Sequence, residues 1–322
     1  MISRRLLRIK ALMILYAFNR KDGNDLAAAE KELMKSIKKT YDLYHYLLLL
    51  VLEIADIAAE KIEIARNKNF PTDEDLDPNT RFINNRIVKF LVHNKDLKSY
   101  IISSKLSWAN YPELPRKLYN TMIEWDEYKE YMNRAEEGFS EDRKFIITLL
   151  IELIATSEDL QSLLEELSIY WNDDLGFLTI MIEKTLRGVK NDSGPDFCLM
   201  PMFKNKDDEI FVKKLLSKTI INSDKYAELI GNNTTNWEIE RVALMDTLVM
   251  QLALSEIVEF EEIPVKVTLN EYIEIAKYYC TAKSSTFVNG ILDKIVREMR
   301  AREIFKKTGR GLVGEPGIDQ KE

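Results

Sequence analysis

Residues 263–300 read IPVKVTLNEYIEIAKYYCTAKSSTFVNGILDKIVREMR, and the spacing of their apolar side chains predicts two helices joined by a short polar turn. Pro264 stands just ahead of the first, where a missing backbone N–H does no harm, and Leu269, Ile273 and Ala276 recur at the spacing of a buried helical face. Phe287, Ile291, Leu292 and Ile295 repeat that pattern in the second helix. Asn289-Gly290 lies inside it, and because glycine weakens a helix, close backbone packing is the expected reason for its presence.

Working outward, the rest of the chain fits the same class. Its 322 residues have room for two domains, or for one with a large insertion, and only 11 glycines and 8 prolines punctuate them. Turns are therefore scarce and an all-α fold is expected. A net charge of −7 argues against a surface coated in positive charge. Cys198 and Cys280 are far apart and form no C-x-x-C pair, so the expected setting is a reduced cytoplasm without disulfides. His45 and His93 are the only histidines, and neither a metal set nor a cofactor is implied. The longest apolar run, Leu47 to Leu52, is cut by Glu53 and falls far short of the roughly 20 residues that cross a bilayer, so no membrane partner is expected. Arg8 and Lys10 interrupt Leu6 to Tyr16, which therefore does not read as a secretory signal.

In chain order, residues 3–19 form a basic amphipathic helix with Leu6, Ile9, Leu12, Met13 and Tyr16 on one face and Arg4 and Arg8 one turn apart on another. A long helical stretch from about 26 to 68 is expected to break near Lys38 to Thr40, and Asn67 to Asn79 reads as a loop. Helices follow at about 80–92, 95–106, 114–135, 141–155 and 173–187, with Ser140 as an N-cap candidate and Ser157 opening one more. After Asn191 to Pro195 come helices at about 207–221, 224–230, 237–258, 267–280 and 283–304. A polar tail from Thr308 is expected to be mobile. The many aromatics between Tyr41 and Trp171 are expected mostly in packing, with an exposed Tyr/Trp patch suiting a further protein partner.

WEIERVALMDTLVMQLALSEI at 237–257, Val267 with Asn270-Glu271, and Phe287-Val288-Asn289-Gly290-Ile291-Leu292-Asp293-Lys294 resemble the C-terminal half of the NusB family of transcription antitermination factors. Ser3-Arg4-Arg5 with Arg8 and Leu15-Tyr16 resembles that family's arginine-bearing first helix. The resemblance implies an all-α, NusB-like bundle of two three-helix subdomains, made here of residues 1–25 plus 206–304. Residues 26–205 are then a helical insertion and 305–322 a flexible tail.

What the resemblance further implies is a cytoplasmic transcription factor without catalysis. It would bind a boxA-like single-stranded RNA together with the ribosomal protein NusE within a transcription elongation complex, supporting ribosomal RNA transcription. Such a surface must offer cations to phosphates and flat groups or backbone donors to splayed bases. Arg4, Arg5, Arg8, Lys283, Ser284, Ser285 and Phe287 are the RNA-side candidates, and Glu240 and Asp246 would face the basic NusE. Arg4, Arg5, Arg8 and Phe287 are expected on one continuous face. Lys283-Ser284-Ser285-Thr286 departs from the family's usual order, with one cation missing before the phenylalanine. The alternative is a helical adaptor that binds proteins and has lost RNA recognition through those changes. No Gly-rich phosphate loop, nucleophile elbow or histidine-anchored triad is present, so neither an enzyme nor a small-molecule substrate is indicated.

Overall fold

The computed structural model describes residues 2–21, 25–136, 138–234 and 243–314. Among them every regular element is helical, and the fold is all-α. The helices are α1 (Arg4–Arg20), α2 (Leu26–Arg66), α3 (Asp73–Leu76), α4 (Arg86–His93), α5 (Lys95–Ser104), α6 (Glu113–Glu124), α7 (Asp126–Asn133) and α8 (Phe139–Thr148). They continue as α9 (Glu158–Leu167), α10 (Asp174–Gly188), α11 (Lys206–Ile221), α12 (Ser223–Asn233), α13 (Leu244–Glu259), α14 (Val265–Tyr279) and α15 (Ser284–Ala301). None of the described helices is long and apolar enough to cross a membrane.

The chain divides into two units, one spanning Lys38–Met202 and the other combining Ile2–Ile37 with the chain from Phe203 onward. In the second unit α13 is the hub, packing against α1, α11, α12, α14 and α15. Its sequence explains this: from Leu248 to Ile257 every residue is buried, because apolar side chains fall on all sides of the helix rather than on one stripe, with Gln251, Ser255 and Glu256 buried among them. Pro264 forms the N-cap of α14, and Ile291, Leu292 and Ile295 of α15 are buried as their spacing demands.

The unit at 38–202 has its own core, running from Leu43 to Leu199. Polar side chains tie its loops to its helices. Asn85 caps α4 and donates to the Tyr131 hydroxyl and the Asp142 carbonyl, while Asn94 caps α5 and donates to the carbonyls of Pro195 and Phe197. Trp108 stacks on Tyr46 at 3.8 Å and donates its indole N–H to the Tyr46 carbonyl, and the Trp171 indole donates to the Lys39 carbonyl at 2.7 Å. Most of the aromatics are thus packed, with Trp108 and Trp171 buried and Trp125 half-buried.

Several sequence expectations are corrected. α2 runs unbroken through Lys38 to Thr40: just before that run Ser36 donates to the Leu33 carbonyl of the same helix, and Thr40 donates to the buried Asp174 carboxylate of α10. The helix expected at 114–135 is divided at Trp125, whose backbone is extended. The one expected at 141–155 starts earlier, after Gly138, and ends in a π-helical turn over Leu149–Ile154. Gly290 is exposed and an added Cβ would meet nothing within 4 Å, so close packing does not explain it. The tail is docked as far as Gly314: Lys307 is buried and its ammonium donates to the carbonyls of Ile257 and Phe260, both at 2.9 Å. Thr308 N–H donates to the Glu261 carbonyl, and a Cβ at Gly311 would lie 1.9 Å from that same oxygen.

Candidate nucleic-acid interface

Ser3 starts α1 by accepting the Leu6 N–H, and this places Arg4 and Arg5 side by side in the first turn with Arg8 one turn beyond Arg4. Their environments differ. Arg4 donates from Nε to Asp208 at 2.9 Å with its guanidinium 4.9 Å from the Phe211 ring centre, and Arg5 makes a two-pronged pair with Glu271 at 2.9 and 2.7 Å. Both arginine side chains remain more than two-fifths exposed. Arg8 is 3 % exposed and grips Glu256 with two bonds of 2.7 Å.

That last pair is the centre of a buried network. Glu256 also accepts from Thr268 at 2.8 Å and from the Tyr272 hydroxyl at 3.2 Å, so α1, α13 and α14 meet on one carboxylate. Burial alone would depress the Arg8 pKa, but the Glu256 hydrogen bonds together with the attraction of Glu256 and its neighbours more than offset it and keep the guanidinium charged. Arg5 likewise draws the Glu271 carboxyl below its usual range. Arg8 therefore holds helices together and does not present a cation to phosphate, a correction to the sequence expectation.

The turn before α15 forms a second cluster. The Ser284 hydroxyl is buried, donates to Asp246 at 2.9 Å and lies 2.8 Å from the Thr281 hydroxyl. Burial, with Asp246 as its hydrogen-bond partner, pushes the Cys280 thiol up. Asp246 is itself buried and cannot meet a partner protein, and Ser284 cannot reach a phosphate. Lys283 and Thr286 are exposed, Ser285 and Phe287 half-buried, and the α15 N-cap at Lys283 supplies no side-chain acceptor to the first-turn N–H groups. Glu240 lies outside the described residues.

The two clusters are anchored at opposite ends of α13. Asp246 holds the Ser284 end and Glu256 the Arg8 end, ten residues apart, which is about 15 Å at 1.5 Å per residue. Asp208, Glu271 and Glu256, which decide the state of the arginines, share no sequence pattern that marks them as a set. Glu256 and Glu271 stand out in the sequence as the ends of motifs, whereas Asp208 shows only its place three residues after Asn205, the N-cap of α11.

Residues 184–297 match the family model described as NusB family. The chain is 37 % identical over 122 residues to "Transcription antitermination protein NusB" of Salinibacter ruber (strain DSM 13855 / M31), covering 38 % of this chain and 76 % of that protein. The chain belongs to the NusB family. The protein of the same name from Chloroherpeton thalassium (strain ATCC 35110 / GB-78) is 42 % identical over 111 residues, 34 % of this chain and 53 % of the relative. That from Natranaerobius thermophilus (strain ATCC BAA-1301 / DSM 18059 / JW/NM-WN-LF) is 37 % identical over 89 residues, 28 % of this chain and 64 % of the relative. The chain thus spans about half to three-quarters of these NusB proteins, and each alignment leaves more than half of the chain unmatched. No solved structure matches.

Proposed function

We propose that the chain is a transcription antitermination factor that binds a boxA-type single-stranded RNA together with ribosomal protein NusE, without catalysing a reaction. The antitermination role of the NusB proteins to which it is similar supports the general role. The observation that carries the RNA reading is the exposure of Arg4 and Arg5, each more than two-fifths accessible beside its carboxylate. The solvent-facing Arg5–Glu271 pair is of the kind worth only about 0–1 kcal/mol, so exchanging Glu271 for a phosphate oxygen costs little, whereas Asp208 is buried and keeps its bond to Arg4 Nε. Lys283, Ser285 and Phe287 supply the second contact, the phenyl ring for base stacking, and a strand of about 4–16 nucleotides covers the separation between the two clusters. Arg8, Ser284 and Asp246 support this surface from beneath. Glu240 is assigned to the NusE side on family resemblance.

Labelled boxA RNA should bind the chain and NusE together more tightly than it binds NusE alone. Phe287→Ala should weaken that gain by about tenfold, the scale of one lost base stack, and Arg4→Gln with Arg5→Gln should reduce its salt dependence. A gain of zero over NusE alone sinks the RNA reading and leaves the protein-binding adaptor, which the burial of Arg8 and Ser284 favours. A gain that survives all three substitutions refutes the placement of the surface.

A further inference from the structure

The Lys38–Met202 unit contains an open groove of about 390 Å³ between the π-helical turn at Leu149–Ile154, α9 and α10. Its floor is apolar, with Leu164 and Trp171 buried beneath it, and Ile180 stands 65 % exposed on its wall. Gly176 leaves the wall of α10 open: it is exposed, and a Cβ there would touch nothing within 4 Å. The π-helical turn closes with Ala155 N–H on the Leu150 carbonyl, five residues back, which widens the helix beside the groove. Such turns are rare and cluster at functional sites.

The charged side chains that line this groove are all acidic. Glu165, Asp173 and Glu183 line it, and no lysine, arginine or histidine does. Asp173 precedes α10 without capping it, so its carboxylate is not committed to the helix. Gly176, Ile180 and Glu183 lie three to four residues apart and hence on one stripe of α10, which makes the lined wall about 10 Å long at 1.5 Å per residue. Glu183 is paired with Arg187 at 2.8 Å, and the remaining carboxylates, Glu165 and Asp173, repel a phosphate backbone and attract ammonium or guanidinium groups, while the apolar floor needs aliphatic side chains to displace its water. Amphipathic helices laid into grooves meet both demands with anchors at three-and-four spacing.

We propose that this groove docks a lysine- or arginine-bearing amphipathic helix of a partner protein, giving the chain a protein-binding site independent of its RNA surface. The test uses the full chain and two labelled peptides of identical apolar pattern, one carrying leucine and lysine, the other leucine and glutamate. The lysine peptide should bind and the glutamate peptide should not. Glu165→Gln with Asp173→Asn should weaken the lysine peptide by about tenfold through lost charge complementarity. Gly176→Phe, which fills the groove from an exposed helical position, should weaken it to a similar extent with an unchanged melting temperature. Equal binding of both peptides, or binding of the lysine peptide that neither variant alters, overturns the proposal. Single-stranded RNA whose affinity falls with Gly176→Phe would assign the groove to nucleic acid and overturn it as well.

Discussion

The two units solve the same problem, how to fix helices against one another, with different chemistry. The unit built on α13 places a full ion pair at its centre, Arg8 with Glu256, and completes it with Thr268 and Tyr272. The unit at 38–202 relies on amides, indoles and phenols, and its buried Asp142 accepts from the Tyr131 hydroxyl and the Arg86 backbone N–H. A buried ion pair gives little net stability over an apolar replacement, but removing one partner strands the other charge. Neutral donors cost less to bury and less to lose. One unit should therefore be brittle to single charge changes, and the other tolerant of them but sensitive to protonation.

Arg8→Met is the severest test of that contrast. Leaving Glu256 buried without its guanidinium should cost about 3–5 kcal/mol, read as lost hydrogen-exchange protection in α13 and α14, while α4 and α8 keep theirs. The double change Arg8→Met with Glu256→Gln should recover much of the loss. Equal loss in both units would erase the distinction.

His45 probes the other side. It is 1 % exposed, its ring stacks on Tyr100 at 3.9 Å, and Nδ1 donates to the Tyr41 carbonyl at 2.9 Å. Burial lowers its pKa to about 4, from the ordinary 6.5. In that interval the unfolded chain binds the proton and the folded one does not, so stability is full above about pH 6.5 and falls as pH drops toward 4. The loss attributable to this group approaches about 3 kcal/mol. Urea unfolding followed between pH 7 and pH 4 should show it, and His45→Phe should flatten the dependence at the cost of one hydrogen bond. A profile that the substitution leaves unchanged would contradict the assignment.

Gly311→Ala is the mildest test and is confined to the α13 unit. Its methyl would collide with the Glu261 carbonyl, so the segment from Lys307 must lift or strain at about 1–3 kcal/mol. Faster amide exchange at Thr308 and Gly311, with α4 and α8 unaffected, is the expected readout. Exchange identical to the parent would mean that the tail is not clamped there.

The legible parts of this molecule were those written in local periodicity. α14 and α15 follow from their apolar spacing, and Ser157 caps α9 as its residue type suggests. Arg8 could not be told from Arg4 by any local signal. Both sit on the same basic stripe, and what buries one is a carboxylate 248 residues away. The same limit hid the docked tail: Lys307 reads as solvated, yet the carbonyls at the end of α13 and just beyond it receive its ammonium. At Lys38 to Thr40 the polar run suggested a break, but the buried Asp174 that engages Thr40 belongs to a distant helix.

The sequence distance between Arg8 and Glu256 also sets a clock. A ribosome adding about 5–20 residues per second needs about 12–50 seconds to travel the 248 residues between them. Throughout that interval the first helix has been made and its anchor has not. The entire Lys38–Met202 unit emerges meanwhile and can finish folding first. During synthesis, then, α1 is among the last helices of its unit to find its place, and its apolar face must be kept from other partners until α13 arrives.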